Sequence, residues 1–222
     1  MNRLKFVFAI LLSSACSQAT AENIKPKLFP GYFTGLVDKV VTDYASAKLD
    51  YELTARDGKD VHFASCKQVE ATRDSDIATS EYHLLTMLRL NCVALKQFAQ
   101  ASHSKASYLQ EILIHKDIRN LPATAYPYVN KEDRKSRENQ KLKDHQKKLT
   151  VSQDKDGSIK VQTETDDLHY QVLATGDFNH DSLEDALIRI DWHVIGAFGK
   201  GFKLIMVTKK AADQAYEITE LN

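Results

Sequence analysis

The sequence predicts an α+β protein: an N-terminal helix and strand region carrying one disulfide, then a C-terminal antiparallel β-meander that holds an acidic loop. Three observations predict it. Apolar residues recur at helical spacing early in the chain, at Leu36, Val37, Val40, Val41 and Tyr44, behind Thr34 as a helix cap. From Leu149 onward they alternate instead, and Asp156-Gly157 marks a hairpin turn between two such runs. Between the two regimes, residues 131–148 contain one apolar residue, Leu142, among eighteen. The expected division is a leader at 1–21, an α+β region at 22–130, a polar linker or solvated helix at 131–148, and the meander at 149–222.

The leader has the three parts of an export signal. Arg3 and Lys5 supply a positive start, Phe6 to Leu12 an apolar run, and Ala19-Thr20-Ala21 an A-x-A cleavage site. The mature chain then begins near Glu22, in the periplasm or outside the cell. Ser14-Ala15-Cys16 offers a second possibility, a lipoprotein anchored at Cys16, although Ser13 stands where that pattern prefers Leu. The apolar run, about seven residues, is far below the roughly twenty that a spanning helix needs, so no membrane span is expected.

Export bears on the cysteines. Of three in the chain, Cys16 lies in the leader, which leaves Cys66 and Cys92 to pair in an oxidising compartment. The whole chain has 30 basic and 30 acidic residues; losing Arg3 and Lys5 makes the mature part 28 minus 30, or −2. That balance argues against a general nucleic-acid footprint and a nucleic-acid partner. Residues 131–148 are the local exception, with eight Lys or Arg against four Asp or Glu, a solvated face or a basic contact patch.

In order along the chain, the spacing predicts a helix over 35–48 and a strand from Asp60 to Ala71. Residues 82–101 fit both periods. Tyr82, Leu84, Leu88, Leu90 and Cys92 suit alternation, while Leu85, Leu88, Cys92, Leu95 and Phe98 suit a helix. A strand over 82–91 running into a helix over 93–102 is expected. Leu109 to Ile114 forms a short apolar segment, and Pro122 and Pro127 end regular structure after it. About six short strands follow: around Leu149 and Val151, Ile159 and Val161, Tyr170 to Ala174, Ala186 to Ile190, Phe202 to Val207, and Tyr216 to Thr219.

The segment Asp177-Phe178-Asn179-His180-Asp181-Ser182-Leu183-Glu184-Asp185 spaces oxygen-bearing side chains at loop positions one, three, five and nine. Hard cations such as calcium take six to eight oxygen ligands, and alternate side chains of a curled loop supply them. Without a metal the same residues would form a polar Asx-type turn. An EF-hand is disfavoured, since Ile188 occupies position twelve, where a bidentate Glu belongs. From Gly176-Asp177 through Asp185-Ala186-Leu187-Ile188, the stretch resembles the calcium loop of FG-GAP or VCBS-type repeats. The resemblance implies a loop between two antiparallel strands, with side-chain oxygens from Asp177, Asn179, Asp181 and Asp185 and a backbone carbonyl from Leu183. The chain departs from that family at His180 and Ser182, where Gly is common, and the second usually needs a positive φ. One copy cannot build a propeller. Small exported bacterial proteins with a single such loop followed by a Gly-rich hairpin are similar in architecture.

The other chemistry-bearing signals are weaker. His62, His83, His103, His115, His145, His169, His180 and His193 form no HExxH or close ligand pair. His180, His193 and Asp191 would make an acid-base or metal set if loop and hairpin met. Gly196 to Gly201 is glycine-rich, but Phe202 follows where a P-loop needs Lys and then Ser or Thr. Trp192, Phe198 and Phe202 around it suit core packing or an exposed aromatic surface. The expected function is a periplasmic, non-enzymatic binding or inhibitor-like protein, calcium-stabilised through 177–185, with a protein or envelope polymer as partner. The alternative is an envelope-polymer hydrolase using Asp and His residues near 177–193, or a purely structural envelope component.

Overall fold

The computed structural model describes residues 23–109 and 117–222. The expected export leader with Cys16, the expected start at Glu22, His115 and residues 110–114 of the apolar segment lie outside the described residues.

The fold is α+β, and its centre is an antiparallel sheet. Strands β4 (Thr150–Gln153), β5 (Ile159–Gln162), β6 (Asp166–Gly176), β7 (Asp185–Val194), β8 (Lys200–Thr208) and β9 (Glu217–Leu221) pair in sequence order. This is the expected six-stranded meander. A two-residue strand, β1 (Lys27–Leu28), joins it by pairing with Ala174 and Thr175 of β6. Gly157, at φ 91°, makes the β4–β5 turn where Asp156-Gly157 predicts one.

Both faces of the sheet are covered, so β7 is buried continuously from Asp185 to Ile190. One core forms around Leu187, Leu204 and Leu173 with the N-terminal half, through Leu85, Leu88, Leu95, Phe63 and Phe33. A second forms around Ile188, Ile190, Ile205 and Val207 with Ile118, Leu121, Ala125, Tyr126, Leu142 and Leu149. The alternation of β7 places odd and even residues in different cores. In β6 the register shifts between Val172 and Ala174, a bulge at Leu173. Ala174 consequently leaves the face of Tyr170 and Val172 and joins the helix-side core.

The N-terminal half differs from expectation in three places. Residues 35–48 form no α-helix, only a single 3-10 turn at Tyr44–Ser46. Gly35 sits at φ 79°, and the segment lies against β2 (Lys48–Thr54), with Val37 N–H donating to Lys48 O at 3.0 Å and Asp50 N–H to Gly35 O at 2.7 Å. Its periodic valines are β-branched and favour this pairing; Val41 is buried, but Val40 is 76% exposed. The strand expected from Asp60 stops at Ser65 as β3, and Cys66–Ala71 is helix α1. Residues 82–91 are helical, within a single helix α2 (Tyr82–Ala99) that buries Leu85, Leu88, Cys92 and Leu95 in one stripe. The alternating set Tyr82, Leu84 and Leu90 was compatible only because Leu-rich helices fill several faces.

Cys66 and Cys92 are joined, with Cα atoms 5.5 Å apart, so the bridge ties the start of α1 to the middle of α2. Residues 131–148 carry two short helices, α3 (Lys131–Ser136) and α4 (Leu142–His145). The run is the expected polar, largely solvated segment except at two residues. Leu142 is fully buried, and Arg137 is 7% exposed, its guanidinium forked onto Asp133 and donating to the carbonyls of Tyr126 and Pro127. Among the described residues, no helix is long and apolar enough to cross a membrane.

Candidate metal loop

Residues 177–184 connect β6 to β7, so the acidic segment is the tip of an antiparallel pair, as its resemblance to the repeat family implies. Its backbone is curled by two left-handed residues, His180 at φ 63° and Ser182 at φ 70°. Positive φ was anticipated for Ser182, and His180 shares it. A non-glycine residue in this region costs about 1 kcal/mol or more, which local hydrogen bonds must offset.

They are present. Asp177 accepts from Asp181 N–H at 3.0 Å and from Ser182 N–H at 2.9 Å. Asn179 Oδ1 accepts from Asp181 N–H at 2.9 Å, and Asp181 Oδ1 from Leu183 N–H at 2.8 Å. Asp185 closes the loop by accepting from Phe178 N–H at 3.0 Å and from the Thr208 hydroxyl on β8. Each carboxylate oxygen retains lone pairs after one such bond. Asp177 and Asp185 are buried, whereas Asn179 and Asp181 are exposed at the tip. Burial, with the Asp181 charge adding to it, pushes the Asp185 carboxyl up to about 6, against hydrogen bonds from Thr208 and Phe178 that lower it.

The donor set is all oxygen, with three carboxylates, and it fits a hard cation rather than a soft transition metal. As placed, these side chains face the loop's own amides. Among the described residues no group of three His, Cys, Asp or Glu stands close enough to hold a metal.

The loop has a second role that sequence reasoning missed. It grips the strap of chain that follows α2. Ser102 and Asp177 exchange backbone hydrogen bonds at 3.0 and 3.2 Å, Lys105 N–H donates to Ser182 O at 2.7 Å, and Glu184 N–H to Ala106 O at 2.9 Å. The Ser102 hydroxyl meets His180 Nδ1 at 3.0 Å. On its far side, Ser104 pairs with Ile24 through two backbone bonds of 2.9 Å. Gly176 permits this closeness, since a Cβ there would lie 3.1 Å from Pro26 and 3.2 Å from Ala101.

His180, His193 and Asp191 do not gather. His180 lies in the loop before β7 and His193 near the other end of that strand, about 26 Å along it at about 3.3 Å per residue. His193 instead faces Asp167 at 3.5 Å, and Asp191 holds Arg189. His169 meets Asp154 at 3.1 Å, and His83 stacks on Phe202 with ring centroids 6.2 Å apart. Of the three aromatic residues flagged near the glycine-rich hairpin, Trp192 and Phe202 pack against the two cores and Phe198 is fully exposed. Comparison with protein-family models, with characterised proteins and with solved structures finds no match to this chain.

Proposed function

We propose that this is an exported, non-enzymatic binding or inhibitor-like protein whose loop 177–185 takes calcium and thereby fixes the surface it presents to a protein or envelope-polymer partner. The observation that carries the reading is the double duty of the loop. The residues with calcium-loop spacing also hold the 102–106 strap against the sheet. Asp177, Asn179, Asp181 and Asp185 would hold the cation with side-chain oxygens, and Leu183 with its carbonyl. The cation would supply positive charge among three carboxylates. Asp185 would then ionise at lower pH, because the cation offsets its burial. A polymer hydrolase would need an acid-base pair, and the two histidines nominated for it stand at opposite ends of β7.

The test is thermal unfolding in millimolar calcium against chelator. At a calcium concentration of about one hundred times Kd, the expected stabilisation is about 2.7 kcal/mol, a rise of about 5–11 °C for a chain of this size. Asp181→Ala should abolish that rise while costing the chelated protein about 1 kcal/mol or less, since only its exposed hydrogen bonds with Leu183 and Asn179 are lost and the carboxylate repulsion in the empty loop is reduced. Ser182→Gly should tighten binding by relieving the left-handed strain. Superimposable wild-type curves, with no heat of binding by calorimetry, would reduce the loop to a polar turn.

A further inference from the structure

At one end of the sheet, apolar side chains project into solvent from two separate segments. Phe198, at the tip of the β7–β8 hairpin, is 104% exposed, and Ile195 beside it 45%. Val129, on the connection leading into α3, is 91% exposed. A phenylalanine ring offers 150–250 Å² for burial, so leaving one wholly in water forgoes a large apolar contribution. The two segments share a side of the molecule. Val129 forms part of one wall of a cavity of about 520 Å³, and Val194 and Gly199, which flank the hairpin tip, form part of the other.

Four lysines lie within two residues of side chains at this end. Lys131 follows Val129 by two residues and Lys200 follows Phe198 by two, while Lys147 and Lys148 follow Gln146, which lines the same cavity. All four are exposed, and Lys148 also pairs with Glu164 at 2.8 Å. Glu132, Asp144 and Glu164 are exposed nearby, but two other acids are turned to internal partners: Asp133 is held by Arg137, and Asp166 by Tyr126 and Thr165. Over residues 131–148 the balance is eight basic against four acidic, or +4.

Protruding apolar tips flanked in the chain by exposed lysines match the chemistry of an anionic lipid interface, where rings enter the acyl boundary and ammonium groups meet phosphates. A folded protein partner would need a concavity shaped to two separate protrusions; a lipid surface needs only negative charge and a yielding apolar layer. We propose that this end of the protein docks peripherally on an anionic phospholipid surface, inserting Phe198, Ile195 and Val129 and setting Lys131, Lys147, Lys148 and Lys200 at the headgroups. The proposal goes beyond the calcium reading and does not depend on it.

The test mixes the protein, in chelator throughout, with vesicles of phosphatidylcholine alone or with about one third phosphatidylglycerol. Binding is followed by co-sedimentation and by the fluorescence of Trp192, the single tryptophan, which lines the cavity. Sedimentation with the anionic vesicles only is expected, weakened about fivefold by Lys131→Ala or Lys200→Ala. Phe198→Asp should weaken it about tenfold or more. The side chain touches solvent alone, so the variant should keep the wild-type circular dichroism and melting curve. Absence of sedimentation with anionic vesicles, or equal sedimentation of folded Phe198→Asp, would overturn the proposal. Capture of a protein through Phe198 without vesicle binding would overturn it in favour of a protein cleft. Because chelator is present in every arm, a loop that ignores calcium leaves this result standing.

Discussion

Replacing Arg189 with methionine would remove the most heavily hydrogen-bonded side chain among the described residues. Its side chain is 2% exposed on the helix-facing side of β7, and all five of its N–H donors are used. Nε donates to Asp191 at 2.6 Å, one Nη to Asn91 Oδ1 at 2.6 Å and Tyr32 O at 3.3 Å, and the other to Gln171 and to Asp191 at 2.8 Å. Methionine preserves much of the volume and none of the bonds. Asp191 loses the one cation paired with it among the described residues, and Asn91, 1% exposed on α2, is left with an unsatisfied acceptor. Removing one member of a buried ion pair costs about 3–5 kcal/mol, because the cost is the stranded partner rather than the lost attraction. For a chain of this length that lowers the melting temperature by about 6–20 °C. Arg189→Lys keeps the charge but not the fork and should fall between the two. Urea unfolding followed by circular dichroism measures both. A loss below about 1 kcal/mol for Arg189→Met would show that the network is offset by its own desolvation and that the reasoning is wrong.

Two further outcomes follow from side chains already described. Unreduced, denatured protein should show no free thiol from Cys66 or Cys92, and the double alanine variant should lose about 3 kcal/mol; two titratable thiols in exported protein would count against it. Tyr126 is held up to about 12, by burial first and by its bond to Asp166 second. A phenol raised above its ordinary 10.0 lends stability that is complete below pH 10.0 and is lost as pH rises through about 12. Tyr126→Phe should thus cost about 1 kcal/mol at neutral pH but show a shallower alkaline decline. Equal slopes for the two proteins above pH 10.0 would refute the assignment.

The meander was legible because its signals are local. Alternation at Ile159 and Val161 and the glycine at 157 act over a few residues, and nothing distant competes with them. The disulfide was legible by count. What escaped notice depends on residues far apart in sequence. Nothing within 35–48 reveals that Gly35 and Val37 will pair with β2, so the helical spacing of its valines misleads. Leu142 looked stranded in a polar run, yet two short helices deliver it to the far face of the sheet. The loop 177–185 was legible as an acidic curl, and Ser182 as its strained position. Its grip on 102–106 was not, since Ser102 and Ala106 carry no pattern that announces a partner some 75 residues away.

The covering of the sheet on both sides has a consequence for how the chain is made. Helix α2 ends at Ala99, while Leu187 and Leu204, which its apolar stripe meets, emerge about a hundred residues later. During synthesis the helix therefore exists without its counterpart. The bridge between Cys66 and Cys92 is a covalent tie that the early segment can make by itself, beside the β2–β3 pairing and the packing of α1 on α2, since both ends have already emerged. A chain that receives this bridge promptly keeps α1 and α2 folded against each other while the meander is completed. One that receives it late holds α1 and α2 together less firmly during that interval, while the sheet-facing leucines of α2 await the meander in either case.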